Sequence, residues 1–384
     1  MQIEDFKRSA LAILGDSLRL FRAPGRVNII GEHTDYNDGF VLPAAIDRQV
    51  LIAVRGLPER KVTVHSLDFS ETSAFSLDCI EHDHEHPWSN YIRGVCLVLE
   101  EAGYRLPGAE VVFAGDVPIG SGLSSSAALE VATATAFLSL VQRQIPGEQV
   151  ARLCQQAENQ FVGMRCGIMD QFASALGRAG HAILIDCCSL AYRPIPLPAG
   201  VRLIVSDTGV RRGLVSSEYN TRRWQCEEAV AILARALPNA ASLRDVTLQQ
   251  LQANRHLLPE VIYRRVRHVL TENERVLNAA KMMQTGDLPQ LGHLLNLSHD
   301  SLRDDYEVSC SELDTMVAIA RGQRGVYGSR MTGAGFGGCT ISLVAEECAA
   351  DFAGRVGPAY REATGLEPQV YICSAAAGAG EVAP

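Results

Sequence analysis

A glycine- and serine-rich segment, residues 118–130 (PIGSGLSSSAALE), has the composition and position of a phosphate-binding loop. It follows a strand-like run, residues 111–114, and leads directly into a helix-forming stretch that continues to Leu140. Glycines let the backbone approach an anion closely, and a helix start presents unpaired N–H groups with partial positive charge. The segment therefore predicts a site for nucleotide phosphates, although an ordinary capped helix would use the same residue types.

Two better-known phosphate loops fit these residues less well. A Walker A loop requires Gly-Lys-Ser/Thr, and this segment contains no lysine. The dinucleotide fingerprint requires a third glycine where Ser125 stands. The segment is therefore a different kind of phosphate loop, or a structural turn, and the rest of the chain must distinguish the two.

A second polar cluster, residues 25–39 (GRVNIIGEHTDYNDG), combines charged and amide side chains with turn glycines. Carboxylates accept hydrogen bonds from vicinal hydroxyl groups, so this density of polar groups suits a sugar. The alternative for this cluster is a solvated turn after a short strand, because charged loop residues are usually exposed.

The elements that position these clusters form a mixed pattern of strands and helices. Strand-like runs at residues 50–54 and 61–65 precede a helix at about residues 150–161. The apolar positions of that helix fall at helical spacing: Val150, Leu153, Cys154, Ala157 and Phe161. Glu158 lies off this stripe and faces either a site or solvent.

The second half of the chain begins after a proline-rich passage, residues 192–199 (YRPIPLPA), that lies between strand-like runs at residues 181–186 and 202–206 and predicts a crossing between domains. Arginine-rich helices follow at residues 221–237 and 261–283. A second glycine cluster, residues 331–338 (MTGAGFGG), precedes another strand-like run. The last residues, 378–384, resemble a loose tail.

Composition limits the class of protein. The 384 residues are 47% hydrophobic and 21% charged, which indicates a globular chain long enough for two domains. A net charge of −9 argues against nucleic acid or an anionic membrane as the main partner. The 11 cysteines lack Cys-x-x-Cys spacing, and neither a signal peptide nor an apolar run of about 18 residues is visible. We therefore expect a cytoplasmic protein with reduced thiols, and the sequence is compatible with a monomer.

Five segments, in order along the chain, resemble the galactokinase family of the GHMP kinase superfamily. The resemblance extends from about residue 21 to residue 344. Residues 25–39 resemble the family's signature, 118–128 its phosphate loop and 331–339 its third, glycine-rich motif. Residues 167–173 (GIMDQFA) resemble its catalytic-aspartate segment, and residues 216–223 (SSEYNTRR) resemble a further sugar-site segment.

The resemblance implies an α+β, two-domain GHMP-kinase-like architecture with the active site in the interdomain cleft. An N-terminal domain, residues 1–195, would carry the phosphate loop and the sugar signature. A C-terminal domain, residues 196–384, would carry the third motif.

The resemblance also implies residue roles. Asp170 and Arg26 match the catalytic pair, although Asp170 alone would be interpreted as a helix-capping carboxylate. The positions around the sugar are Glu32, His33, Asp35, Gly167 and Tyr219. The nucleotide positions are Trp88, near the adenine, and Gly120, Ser121, Gly122, Leu123, Ser124, Ser125 and Ser126 around the phosphates. Ser126 and Glu158 match the pair that holds Mg²⁺.

The implied reaction is ATP-dependent phosphorylation of α-D-galactose at its anomeric hydroxyl, giving galactose 1-phosphate and ADP, the entry step of the Leloir pathway. Galactose and MgATP would be the partners. One alternative is a related kinase for N-acetylgalactosamine or arabinose. A second is a silent galactose and ATP sensor, which should have lost catalytic residues, whereas Arg26, Asp170, Glu158 and residues 124–128 are all present. Whether Asp170 removes the sugar proton or mainly orients the hydroxyl stays open.

Overall fold

The computed structural model describes residues 2–211 and 215–382, and these residues form thirteen β-strands and eleven α-helices. The strands are β1 Arg19–Asn28, β2 Phe40–Val41, β3 Pro43–Leu57, β4 Lys61–Ser66, β5 Glu71–Ser76, β6 Gly108–Gly115, β7 His181–Asp186, β8 Tyr192–Pro196, β9 Val201–Asp207, β10 Val326–Thr332, β11 Cys339–Ala345, β12 Gln369–Cys373 and β13 Gly380–Glu381. The helices are α1 Ile3–Leu14, α2 Asn90–Glu101, α3 Ser125–Leu140, α4 Gly147–Ala157, α5 Met169–Leu176, α6 Val215–Leu233, α7 Leu248–Ala253, α8 Glu260–Thr285, α9 Leu288–Ser301, α10 Ser311–Arg321 and α11 Ala349–Thr364.

The largest sheet has six strands in the order β13-β1-β3-β6-β4-β5, and only β4 and β6 pair in parallel. Successive side chains of a strand point to opposite faces. In β3, Leu51 and Ala53 accordingly pack with α1, whereas Ile52 and Val54 belong to the main core that contains α3. The sheet therefore has an apolar layer on each face, which explains why residues 50–54 are continuously hydrophobic.

A second, four-stranded sheet has the order β10-β11-β9-β12 and is antiparallel throughout. One face packs against α10 and α11 through residues such as Ile204, Val344 and Phe352. The other face contributes Leu203 and Ile341 to the same core as the first sheet. Strands and helices thus occupy mostly separate layers, and the α+β prediction is confirmed.

A third, small sheet has the order β2-β7-β8. The strand-like run at residues 181–186 coincides with β7. The proline-rich passage forms β8, an edge strand that pairs with β7, where proline is tolerated because one side of the strand lacks a partner. The crossing to the second half therefore follows β8, and the exact division at residues 195 and 196 stays a prediction.

Two local expectations need correction. The helix expected over residues 150–161 ends at Ala157, and the chain continues as a π-helical turn over Glu158–Val162. The described part of the presumed tail is ordered, because β13 pairs with β1 and Arg19 forms an ion pair with Glu381. An otherwise open edge of β1 explains this pairing.

Among the described helices, none has both the length and the hydrophobicity needed to cross a membrane.

Candidate active site

A cavity of about 410 Å³ lies between the phosphate loop, the 25–39 segment and the start of the second glycine cluster. Most of the predicted site residues line it: Arg26, Glu32, His33, Asp35, Trp88, Gly120, Gly122, Ser124, Ser125, Ser126, Glu158, Gly167, Asp170 and Tyr219. Ser121 and Leu123 do not line it. The Ser121 hydroxyl donates to the Pro118 carbonyl oxygen, and the Leu123 side chain is buried in the main core.

Arg26 and Asp170 form a bidentate ion pair in the wall of this cavity. Arg26 Nε and Nη2 each lie 2.7 Å from a carboxylate oxygen of Asp170, and Nη1 donates to the Gly122 carbonyl oxygen at 2.6 Å. Burial acts to lower the pKa of Arg26, but the charges of Asp170 and Glu32 outweigh it and raise that pKa. The guanidinium therefore stays charged beside the phosphate loop.

The phosphate loop is tied to the same carboxylate. Ser124 immediately precedes α3 with a left-handed backbone (φ 61°), and its hydroxyl donates to Asp170 Oδ2 at 2.5 Å. Asp170 lies in the first turn of α5, where its carboxylate accepts bonds from Arg26 and Ser124. The helix-capping alternative for Asp170 therefore does not describe its contacts.

Glu158 is buried at the start of the π-helical turn, and its carboxylate accepts a hydrogen bond from the Ser126 hydroxyl. Burial, and then the charge of Asp170, raises the pKa of Glu158 to about 7. None of the described residues forms an ion pair with this carboxylate. A hydroxyl and a carboxylate are oxygen ligands that Mg²⁺ prefers, and a cation would offset the cost of burying the charge. The two residues therefore fit a magnesium site.

Glu32 also lines the cavity and is held by groups from both halves of the chain. Its carboxylate accepts bonds from Asn28 Nδ2 at 2.9 Å and from the Gly333 backbone N–H at 2.8 Å. The buried guanidinium of Arg330 lies 3.3 Å from the same carboxylate. Sequence reasoning missed Asn28 and Arg330, although Asn28 lies within the 25–39 segment and Arg330 directly precedes the second glycine cluster.

Asp35 and Gly167, two of the residues predicted to surround the sugar, lie against each other in the wall of the cavity. A Cβ atom on Gly167 would lie 1.9 Å from Asp35 Oδ2, so only glycine fits beside this carboxylate. Burial, and then the charge of Asp170, raises the pKa of Asp35 to about 7. Two acidic side chains, Glu32 and Asp35, thus line the cavity, as expected for binding vicinal hydroxyl groups.

The His33 ring is neutral and its two nitrogens are both occupied. Nδ1 lies 2.8 Å from the Tyr36 hydroxyl, and Nε2 lies 3.1 Å from the Ala334 carbonyl oxygen. Burial, and then the charge of His268, lowers the pKa of His33 to about 3. Nε2 is therefore the protonated nitrogen, and Nδ1 accepts from Tyr36. The Tyr219 ring lies 5.5 Å from the His33 ring, between their centroids.

The far end of the cavity is apolar. Trp88 lies there with Phe69 and Phe113, and its ring centroid is 6.1 Å and 5.4 Å from theirs. The Trp88 Nε1–H donates to Glu71 Oε2 at 2.7 Å, so the indole has a fixed orientation. Flat, apolar walls next to a phosphate loop suit the base of a nucleotide.

Comparisons with known proteins agree with this geometry. Family models match residues 90–178 (GHMP kinases N terminal domain), 12–56 (Galactokinase galactose-binding signature) and 279–359 (GHMP kinases C terminal). The galactokinase of Roseiflexus sp. (strain RS-1) is 50% identical over 94% of this chain and 93% of its own length. That of Chloroflexus aggregans is 53% identical over 94% of this chain and 92% of its own length.

Solved structures show the same relationship. The crystal structure of Lactococcus lactis galactokinase complexed with galactose matches with a TM-score of 0.95 and 36% identity, covering 99% of this chain and 100% of that one. The mevalonate kinase of Methanococcus jannaschii shares the fold alone, with a TM-score of 0.64 and 17% identity over 93% of this chain and 98% of that one. The chain belongs to the galactokinase family of GHMP kinases.

Proposed function

We propose that the cavity holds galactose beside Asp35 and Gly167 and ATP along the phosphate loop, and that the chain transfers the γ-phosphoryl group to the anomeric hydroxyl. The products are galactose 1-phosphate and ADP. One observation carries the proposal: the Arg26–Asp170 ion pair lies between the sugar signature and the phosphate loop, with bonds to Gly122 and Ser124. This is where the hydroxyl and the γ-phosphate would meet.

The chain's own residues supply positioning and charge. The sugar O1–P bond forms as the bond between the γ-phosphorus and the oxygen of ADP breaks, so negative charge develops on the transferring group. Arg26 stabilises that charge from a buried position, where electrostatic interactions are strong. Asp170, whose oxygens are held by Arg26 and Ser124, accepts the hydrogen bond of the anomeric hydroxyl and takes its proton.

We assign the remaining roles by contact. Ser126 and Glu158 would hold Mg²⁺, which when bound neutralises charge on the nucleotide phosphates. Gly120 and Gly122 have positive φ angles that favour glycine, so their backbone can approach the phosphates closely. Glu32, Asp35 and Tyr219 would contact the sugar, and Trp88 would border the adenine. His33 would contribute through its ring face or backbone, because both ring nitrogens are occupied.

Two wider assignments belong to the same proposal. The domain boundary at residues 195 and 196 is supported by the second sheet, which is built from strands that all follow it. A reducing compartment such as the cytoplasm is supported by the cysteines, all of which are free thiols.

The reaction is tested by ADP release with ATP and Mg²⁺, comparing galactose, glucose, N-acetylgalactosamine, arabinose and no sugar. We expect ADP release to depend on galactose, with galactose 1-phosphate as the product. Faster turnover of N-acetylgalactosamine or arabinose would reassign the substrate. Galactose binding by a folded protein without turnover of any sugar would favour the sensor.

The catalytic pair is tested by Arg26→Ala and Asp170→Ala. We expect each change to lower kcat by about 10²–10⁴-fold, because each removes a group that acts on the transition state. Arg8→Ala, on the exposed face of α1, is the control and should keep full activity. Near-normal turnover by either folded variant would remove that residue from the mechanism.

A further inference from the structure

We propose that Gln171 is a positioning residue for phosphoryl transfer: its amide nitrogen bridges Glu158 and Glu130 and thereby holds Glu158 at the metal end of the cavity. The inference rests on the proposed function, in which Glu158 binds magnesium. It assigns a role to two buried side chains, Gln171 and Glu130, that do not themselves contact the substrates in that proposal.

The bridge is a pair of hydrogen bonds from one nitrogen atom. Gln171 Nε2 lies 2.5 Å from Glu158 Oε2 and 3.0 Å from Glu130 Oε2. A glutamine amide nitrogen carries two hydrogens, so both are used. Because a carboxylate oxygen accepts hydrogen bonds, the amide must turn its nitrogen rather than its oxygen towards this pair. The orientation of Gln171 is therefore determined by its neighbours.

Three helical segments bring these side chains together. Glu130 lies in α3 four residues after Ser126, so both project from the same face of that helix. Glu158 follows the end of α4, and Gln171 is the residue after Asp170 in the first turn of α5. A small movement of α5 would thus shift Gln171 and Asp170 together, which couples the metal end of the cavity to the catalytic pair.

This cluster is costly for the fold. Glu130 and Gln171 are fully buried, and within residues 2–211 and 215–382 neither Glu130 Oε1 nor Gln171 Oε1 has a hydrogen-bond partner. Buried polar atoms without partners are uncommon, because each loses its hydrogen bonds to water without compensation. An apolar pair in this position would stabilise the helices more simply. The position that the cluster gives Glu158 therefore explains its arrangement better than a contribution to stability does.

Removing the bridge should loosen Glu158. The remaining bonds to that carboxylate would come from the Cys166 thiol, with Sγ 3.3 Å from Oε2, and from the Ser126 hydroxyl. A thiol is a weak donor, and Ser126 is itself expected to bind the metal. Groups that orient a metal ligand typically change metal affinity by about 10–100-fold when they are removed.

The experiment replaces Gln171 by methionine, which has similar length and volume but donates no hydrogen bond. Gln284→Met, the same chemical change on an exposed part of α8, is the matched control. The first readout is the Mg²⁺ concentration that gives half-maximal turnover, which we expect Gln171→Met to raise by about 10–100-fold. The KM for galactose should stay within about twofold of the parent value, because Gln171 does not line the sugar end of the cavity.

The second readout is equilibrium binding of ADP, measured by calorimetry with and without Mg²⁺. Gln171→Met should reduce the gain in ADP affinity that Mg²⁺ provides, and it should leave metal-free ADP binding unchanged. A merely structural role would weaken both kinds of binding equally, and that result would overturn the proposal. So would an unchanged Mg²⁺ requirement.

A second variant covers the case in which Gln171→Met does not fold. Glu130→Met keeps the length of the side chain and removes the oxygen that accepts the hydrogen bond of the Gln171 amide. We expect a smaller rise in the Mg²⁺ requirement, in the same direction, and an unchanged requirement would contradict the proposal. If the parent protein did not turn over galactose, the proposed function would fail, whereas the ADP-binding comparison would still decide the role of Gln171.

Discussion

His33 uses both ring nitrogens inside the protein, and this determines what it can offer a sugar. Nδ1 is bonded to Tyr36, whose hydroxyl lies 2.8 Å from that of Tyr306, and Nε2 is bonded to the Ala334 carbonyl oxygen. His33 also adopts a left-handed backbone conformation with φ of 63°. Such a conformation is uncommon for a residue with a side chain, so the surrounding contacts must stabilise it. The imidazole is therefore held in one orientation, and its hydrogen bonds connect the 25–39 segment to the second glycine cluster.

The contact between Gly167 and Asp35 gives a prediction at the scale of one atom. Gly167 does not have a positive φ, so alanine is acceptable to the backbone, but its Cβ would overlap the Asp35 carboxylate at 1.9 Å. We expect Gly167→Ala to displace Asp35 by an ångström or more and to lower kcat/KM for galactose by about 10²-fold. The KM for ATP should change little, because the phosphate loop is not contacted.

Steady-state kinetics with each substrate varied in turn would measure this effect. Gly354→Ala is the control, because a Cβ at this position in α11 meets no atom within 4 Å. A Gly167→Ala variant with parental kcat/KM for galactose would show that Asp35 does not need its present position.

At the scale of elements, the sequence predicts what depends on local patterns and fails where pairing is long-range. Residues 181–186 form β7 as expected, because a short apolar run between turn residues is sufficient. Residues 50–54 are only the centre of β3, which extends over Pro43–Leu57 because β1 and β6 pair with it on both sides. The two residues of β13 carry no local signal, since their strand conformation comes from pairing with β1.

In the candidate site, too, local sequence patterns predict some features, whereas contacts between distant residues are not predicted. Arg26 and Asp170 are 144 positions apart, and only the resemblance to a family brought them together before the structure did. Glu130 and Gln171 were missed because each looks like an ordinary polar residue within a helix. Their burial arises from the packing of α3, α4 and α5 against one another, which no single helix pattern reveals.

The pairing of β13 predicts that the end of the chain stabilises the first sheet. Deleting residues 374–384 would remove the β13–β1 pairing and the bond from Val382 N–H to the Leu20 carbonyl oxygen. It would also remove the bond from Asp47 N–H to the Ser374 carbonyl oxygen and the bond from Ser374 N–H to the Asp47 carboxylate. Backbone bonds contribute about 1 kcal/mol each, so we expect the free energy of unfolding to fall by about 2–5 kcal/mol. Denaturation by urea would measure the change.

Glu381→Ala separates pairing from charge in this experiment. The Arg19–Glu381 ion pair is largely exposed, and such pairs contribute about 0–1 kcal/mol. We therefore expect a small effect from this variant beside the truncation. If the truncated chain unfolded at the parental urea concentration, β13 would not contribute to stability.

The two halves of the chain, which share one core, also meet through hydrogen bonds around Glu32 at the cavity. Asn28 and Thr332 exchange two hydrogen bonds of 3.1 Å, and Gly333 donates to Glu32 from the same β10 region. His268 in α8 supports this junction from behind, with Nε2 3.1 Å from the Glu32 carbonyl oxygen and Nδ1 2.9 Å from the Ser301 hydroxyl. Glu32, which we propose to contact the sugar, therefore also helps to join the two halves.

The burial of His268 at this junction predicts how stability depends on pH. Burial lowers the pKa of His268 to about 4, against 6.5 for an unperturbed histidine. Between these values the unfolded chain binds a proton that the folded protein does not, so the free energy of unfolding falls as pH falls from about 6.5 to 4. Above pH 6.5 the contribution is fully present, and its total is on the order of 3 kcal/mol.

His268→Gln tests this contribution, because glutamine can donate to the Glu32 carbonyl oxygen and accept from Ser301 but does not titrate. Urea unfolding of both proteins at pH 7.5, 6 and 5 would give the two pH dependences. We expect the variant to lose less stability than the parent as pH falls, by up to about 1.4 kcal/mol per pH unit. His33, whose pKa is also lowered, and Asp35, whose pKa is raised, are present in both proteins, so their effects cancel in the difference. Parallel pH dependences would mean that His268 takes up its proton at the same pH in the folded and the unfolded protein, and the junction would then have to hold a charged imidazole beside the Glu32 carbonyl oxygen below about pH 6.5.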